Sequence, residues 1–304
     1  MKVVSSSRGE YADVINSYYN LEAHSQDNEE SVLFQGYAAS TSESLKNEHS
    51  QYKNRIYINL ESPCAFCSTT SFEAESKYFT HTYTICPYTA EWLMARSDIK
   101  ACPIAFPYNG NCFKDVKVEE KDTSSMYMGT IMCEDHEKII EVIKKNSHVV
   151  CSLSPHPQLT HLSISSKQKW DLLGKAKSNV IMNMCPVNEN HKIHIRRNRG
   201  IDDHGAFNGL HLDFVPQFKP RVIEAMVCKA VCLVKRDPWN VIETWFSPHK
   251  HFIYWETYEE LHSIIDDIDS NYESYLDIVN SAYEEVKKYE ILNIFEKIKG
   301  DVGE

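Results

Sequence analysis

The sequence predicts an α/β protein built on parallel sheets, and three observations carry that expectation. Short β-branched and aromatic runs alternate with helix-like segments along the 304 residues, the order that parallel strands with helical crossovers require. The chain is long enough for two domains of roughly 100 to 200 residues, each with its own core. The stretch from Phe218 to Trp255 runs from a helix carrying Arg221 and Glu224 into the strand Ala230 to Val234 and then into Lys235-Arg236-Asp237-Pro238. In such units ligands sit at the carboxyl ends of the strands.

Taken in order, Val32 to Tyr37, Arg55 to Leu60, His81 to Cys86 and Ala101 to Phe106 read as strands, and Glu91 to Ala95 as helix. Ser40 to Gln51 is polar and begins as loop, and Val116 to Ser125 has the charge and Ser/Thr content of a linker. A second series of strands follows at Met126 to Thr130, Val149 to Ser152, Asn179 to Met184 and Ala230 to Val234. The tail is helical. Leu261, Ile264, Ile265 and Ile268 recur at amphipathic spacing, as do Tyr275, Ile278, Val279, Ala282 and Val286, and a last helix follows with Ile291, Leu292, Phe295 and Ile298 as its apolar positions.

Composition excludes some functions. A net charge of −11 argues against a nucleic-acid partner, which needs Lys and Arg clustered on one face. The one basic knot, His191 to Arg199, reads as a solvated connection. Only Val3-Val4 precede a serine run, and no run of about 18 apolar residues occurs, so the sequence predicts a cytosolic protein without an integral membrane segment. The ten cysteines then read as reduced and mostly buried thiols. Cys64-Ala65-Phe66-Cys67 has no second CxxC to complete a zinc site, and Cys228 and Cys232 read as small buried hydrophobes. No GxGxxG or P-loop is present, which disfavours a dehydrogenase or an NTPase.

The chemistry concentrates at the turn after Val234. Asp237 is placed to cap a following helix with Pro238 in its first turn, so that the N–H groups of Trp239 and Asn240 face open space as an anion site suited to a diphosphate. Lys219 and Arg221 supply cations nearby, and Glu224 stands as a carboxylate in an apolar setting that is costly without partners. Asp266, Asp267 and Asp269 fall inside the helical pattern and read as a solvated face, so no metal ligands are assigned.

This stretch resembles the donor-binding half of GT-B glycosyltransferases, in particular the group-1-like transferases of bacteria and large viruses, whose motif reads roughly KxRxxEAxxxxxxxLxKRDPWNxIExxFxPxxxFIY. Lys219, Arg221, Glu224, Ala225, Leu233, Lys235 to Asn240, Ile242, Glu243, Phe246, Pro248 and Phe252 to Tyr254 fit it. Weaker echoes lie at Glu61-Ser62-Pro63, at Gly129-Thr130 followed by His136, and at Lys169-Trp170-Asp171-Leu172-Leu173 leading to Asn183. The resemblance implies two Rossmann-like domains facing across a cleft, with C-terminal helices. Residues 1–117 would form the acceptor side, 118–285 the donor domain, and 286–304 a helix crossing back to the first domain. It also implies a donor of the nucleotide-diphosphate-sugar class, a carbohydrate or glycoconjugate acceptor, and no cofactor or metal. Donor contacts fall on Gly129, Thr130, Lys219, Arg221, Glu224 (to the ribose), Asp237, Trp239 and Asn240, and catalytic roles on Glu61, His136 and Arg221. Glu61 fits three roles, as general base, acceptor anchor or structural cap, and His136 fits either a phosphate contact or a solvated helix start. Retaining relatives carry a further glutamate that contacts the donor sugar; here Pro216 occupies that position. Two other readings stay open: a GT-B-fold enzyme acting on the sugar nucleotide itself, such as an epimerase, and a catalytically silent sugar-nucleotide or glycan binder.

Overall fold

The computed structural model describes residues 1–5, 21–26, 30–36, 43–60, 78–96, 100–116, 118, 120–152, 154–186 and 213–304. They fall into two compact units. One gathers Met1–Asn109, Met184–Phe218 and Tyr289–Glu304, and the other Gly110–Asn183 and Lys219–Lys288. The described residues 184–186 and 213–218, continuous in sequence with the donor region, therefore belong to the first unit.

The first unit holds five parallel strands in sequential order, β1 (Lys2–Ser5), β2 (Ser31–Gly36), β3 (Asn54–Asn59), β4 (His81–Thr84) and β5 (Lys100–Pro103). Val32 to Phe34 and Ile56 to Ile58 are buried without alternation, as strands covered on both faces must be. The segment expected to begin as loop contains a short helix, α1 (Glu43–Glu48). Its sequence is polar, yet His49 at its end packs edge-on against Phe34 and stacks on Tyr52, and Lys46 is buried with Nζ 3.0 Å from Glu43. Aromatic contacts from β2 thus select a helix that propensity alone does not announce. Helix α2 (Pro87–Arg96) packs on β4 and β5.

The second unit is a six-stranded parallel sheet. Its strands are β6 (Thr123–Met128), β7 (His148–Ser152), β8 (His161–Leu162), β9 (Ala176–Met182), β12 (Val231–Lys235) and β13 (Ile253–Trp255), in the spatial order β13-β12-β9-β6-β7-β8. Renumbered in chain order and read from β8, that order is 3-2-1-4-5-6, the doubly wound dinucleotide-fold arrangement. The short pair β10 (Met184–Pro186) and β11 (Phe214–Pro216) is antiparallel and belongs to the first unit. Thr123, Ser124 and Ser125, read in sequence as the end of a linker, lie in central strand β6. Their polarity is accommodated because the Ser125 and Ser178 hydroxyls meet at 2.9 Å and Ser178 donates to the Ser124 carbonyl at 3.1 Å.

Helices cover this sheet on both faces. Helices α3 (Glu134–Ile143) and α6 (Tyr258–Ser270) pack together over β6, and α4 (Ser166–Lys175) and α5 (Pro220–Val227) pack together against β9. Strand β12 shows the period of two. Val231 and Leu233 join the core of α3 and α6, while the Cys232 thiol lies 4.0 Å from the Val222 carbonyl of α5. A capping box at Ser165 and Gln168 starts α4, and Pro220 takes the first position of α5. Of the eight described cysteines, all free, four are buried and four half-buried; burial pushes the Cys228 and Cys232 thiols far up. Among the described residues no helix is long and apolar enough to cross a membrane.

After α7 (Leu276–Val286), the last helix, α8 (Ile291–Val302), packs within the first unit. Ile291 N–H donates to the Tyr108 carbonyl at 2.8 Å, and Asp301 accepts from the Tyr83 hydroxyl at 2.9 Å. Its buried face is Ile291, Ile294, Phe295 and Ile298. Leu292, expected on that face, is 38% exposed, because it stands one residue off the 3.6-residue stripe and Ile294 takes the inward place. Phe295→Ala is therefore expected to destabilise the protein by about 3–5 kcal/mol, and Leu292→Ala by no more than about 0.5 kcal/mol. Urea unfolding of the two variants checks the contrast, and equal losses would place Leu292 back in the core.

Candidate functional site

Strands β6 and β9 are neighbours in the second sheet, but the chain leaves them in opposite directions, toward β7 and toward β12. A ligand site is expected in the crevice outside the carboxyl ends at such a switch point. The residues that follow the two strands are Gly129 and Asn183.

Gly129 has φ of +133°, and its N–H donates to the Cys151 carbonyl at 2.9 Å. A Cβ built there would lie 2.0 Å from Nη2 of Arg221 and 2.4 Å from its Cζ. The glycine is needed twice, for its backbone angle and for the guanidinium that lies against it. Thr130, beside it, is exposed.

Arg221 comes from the first turn of α5, whose start is tied to β9. The Lys219 N–H donates to Asn183 Oδ1 at 3.1 Å, and Asn179 Nδ2 reaches the Arg221 carbonyl at 3.5 Å. Among the described residues no carboxylate pairs with the half-buried guanidinium. Its charge acts on Tyr127, His136 and Cys151. By contrast, Lys235 is bound to Asp135 at 2.6 Å and lies over the rings of Trp255 and Tyr258, and Arg236 is bound to Glu256 at 2.9 Å over Tyr254.

His136, in the first turn of α3, is buried rather than solvated. Burial above all, and then the charges of Arg221 and Lys219, push its pKa down to about 4. Its Nδ1 accepts the Met132 N–H at 3.1 Å, so the neutral ring carries its proton on Nε2. At neutral pH it is a hydrogen-bond donor and not a third cation.

Glu224, one turn after Arg221, is 1% exposed. The Trp170 indole N–H donates to its Oε1 at 2.8 Å, and Lys169 Nζ lies 2.5 Å from the same oxygen. Both partners come from the first half of α4. The sequence marks Lys169 and Trp170 only as a weak echo and gives no sign that they meet Glu224, because the contact spans 54 positions. Asn179 is missed for the same reason.

Three comparisons bear on this arrangement. Residues 164–292 match the family described as glycosyl transferase-like. No curated protein matches the chain in sequence. Among solved structures, TarM of S. aureus aligns with a TM-score of 0.58 at 13% identity, over 92% of this chain and 56% of its own, so the chain spans little more than half of TarM. HepE of Anabaena, solved with UDP and glucose, aligns with a TM-score of 0.60 at 10% identity, over 96% of this chain and 80% of its own. The pneumococcal O-GlcNAc transferase GtfA, solved with UDP and GlcNAc, gives 0.56 at 9%, over 90% of this chain and 56% of its own. The fold is that of GT-B glycosyltransferases.

Within this GT-B fold the turn after β12 differs from the sequence expectation. No α-helix starts at Pro238. Asp237 Oδ1 instead accepts the N–H of Trp239 at 2.9 Å and of Val241 at 3.4 Å, and the Asn240 N–H donates to the Asp237 carbonyl at 3.2 Å. Asn240 is left-handed, with φ of 49°, and a 3-10 turn follows over Val241–Thr244. The N–H groups of Trp239 and Asn240 are therefore satisfied internally, and the anion site expected there is not formed. Charge at Asp237 is felt at Tyr254, which is bonded to Glu243. Of the expected site residues, Gly129, Lys219, Arg221, Glu224 and His136 come together, with Thr130 at the edge. Asp237, Trp239 and Asn240 build a separate turn, and Glu61 lies outside the described residues. Asp266, Asp267 and Asp269 point along α6, where Asp269 pairs with Lys177 at 2.6 Å, Asn146 donates to Asp266 at 2.9 Å, and Asp267 accepts from Asn271 and Tyr275.

Burial holds the Asp237 pKa up at about 6 against three backbone N–H groups that pull it down. A carboxyl raised on folding binds its proton more tightly in the native state, so its ionisation opposes folding, fully above pH 6 and progressively less as pH falls to the ordinary carboxylate value. Asp237→Asn keeps the Oδ1 acceptor and removes the titration. The variant is expected to gain stability over wild type by on the order of 2 kcal/mol at pH 8 relative to pH 4. Paired thermal melts across that range check it, and a constant difference would mean that Asp237 does not titrate this way.

Proposed function

We propose that the protein is a glycosyltransferase that moves a sugar from a nucleoside diphosphate donor to a hydroxyl of a glycan or glycoconjugate. The observation that carries this reading is the Arg221 guanidinium, without a carboxylate partner among the described residues, seated on the Gly129 backbone at the switch point with Lys219 and the neutral donor His136 beside it. A diphosphate fits two cations and an N–H donor, and UDP in the HepE and GtfA structures supports a uridine nucleotide. Glu224, one helical turn after Arg221, accepts from the ribose hydroxyls. The acceptor hydroxyl oxygen bonds the anomeric carbon and gives up its proton to water as the bond from that carbon to the diphosphate oxygen breaks; charge grows on the departing oxygen, and Arg221 and Lys219 neutralise it. The charge is met by side chains, so transfer proceeds without a divalent metal, and the reaction takes place in the cytosol.

Arg221→Ala tests the assignment. It is expected to lower the rate of UDP-sugar turnover by about 100-fold or more, as for loss of one preorganised group at a developing charge, with a smaller loss of UDP affinity. Uridine, lacking phosphates, is expected to bind wild type and variant equally by calorimetry. A large change in uridine binding would instead place Arg221 in a structural role, and activity abolished by EDTA and restored by manganese would overturn the metal-free reading.

A further inference from the structure

Glu224 presents a problem that the site alone does not resolve. A carboxylate 1% exposed costs several kcal/mol to keep charged unless its surroundings compensate, and a rotatable carboxylate is a poor fixed acceptor for a sugar hydroxyl. Both difficulties are met from the neighbouring helix. The capping box at Ser165 and Gln168 sets the first turn of α4. Two consecutive residues of that helix then reach the same oxygen, the Trp170 indole N–H at 2.8 Å and the Lys169 ammonium at 2.5 Å. Trp170 is 3% exposed and held in place on its ring face by Phe113, with centroids 4.2 Å apart. The Lys169 ammonium lies 5.8 Å from the Trp170 ring centroid. The donor that orients the carboxylate is therefore itself packed into the core.

From this geometry we infer that Trp170 and Lys169 are positioning residues, which hold Glu224 charged and fix the direction in which it accepts, so that discrimination for a ribose over a sugar lacking hydroxyls depends on α4 as well as on α5. The inference rests on the assignment of Glu224 to the ribose. An indole that served only as core filling would need no polar partner, and phenylalanine would replace it at little loss of function. A tryptophan that orients the carboxylate cannot be so replaced, because phenylalanine keeps the ring contact with Phe113 and removes the N–H.

The test uses the full chain and two probes, UDP and 2′,3′-dideoxy-UDP, with wild type, Trp170→Phe, Lys169→Met and Glu224→Gln. Wild type is expected to prefer UDP by roughly tenfold or more, the effect of hydrogen bonds to a charged acceptor. Trp170→Phe is expected to lower UDP affinity by about three- to tenfold and to leave dideoxy-UDP affinity unchanged, so that the ratio falls toward unity. Lys169→Met, at a side chain 21% exposed, is expected to move the ratio in the same direction and decides the matter if Trp170→Phe does not fold. Combining Trp170→Phe with Glu224→Gln should lower the ratio no further than Glu224→Gln alone. A general loosening of the fold would weaken both probes alike and leave the ratio standing, and that result overturns the inference. If wild type discriminates and both variants keep its ratio, the positioning role is wrong while the ribose assignment stands. If wild type itself does not discriminate between the two probes, the ribose assignment fails and the inference falls with it.

Discussion

The guanidinium of Arg221 occupies the space that a side chain at position 129 would need, and the chemistry of the second unit is arranged around that contact. Isolated charge inside a protein is costly, so a cation without a carboxylate partner persists only where the surroundings still allow it contact with water or a ligand. A strand end at a topological switch point is such a place. The chain leaves the neighbouring strands in opposite directions there, and backbone N–H groups and helix starts are at hand. The fold supplies the vacancy, and Gly129 lets the cation approach the backbone closely.

The same constraint accounts for the polar residues on the inner face of α5. Asn179 and Asn183 come from β9 and its end, and each bonds the backbone of the helix start rather than another side chain. They hold the first turn in register with the sheet, where apolar residues would provide packing but no direction. One turn later the helix must still place a carboxylate, and the donors for it come from α4. Direction along α5 is thus set by polar contacts at both levels, while its depth is set by Val222, Ile223, Ala225 and Met226 in the core. His136 completes the set as a neutral group, which burial above all, and then its cationic neighbours, enforce.

The sheets were legible in the sequence wherever a strand is buried on both faces, as at Val32, Ile56, Val149 and Val231, because β-branched runs between turn signals have few other uses. The strands β8 and β13 were not, since two or three residues give no period to read, and β1 was lost in the few residues before a serine run. Lys219, Arg221 and Glu224 were legible as a charged cluster because they share one helix turn and one motif. Their partners were not: whether Trp170 lies against Phe113 alone or also against a carboxylate is decided by packing across 54 positions. The turn at Asp237 misled for a local reason. Asp-Pro announces a helix start, but the aspartate closed its own turn over the next N–H groups and left the helix unmade.

The match to a glycosyl transferase-like family begins at residue 164, so within the second sheet it includes β9, β12 and β13 and leaves out β6, where Gly129 follows. Gly129 nevertheless lies against Arg221, a residue inside the match. In evolutionary terms the two form one character divided between a recognisable half and a divergent half. A lineage that gives up arginine at 221 lifts one of two demands on position 129 and leaves the positive φ to hold the glycine, whereas one that keeps arginine is held on both counts however far the rest of its β6 half has drifted.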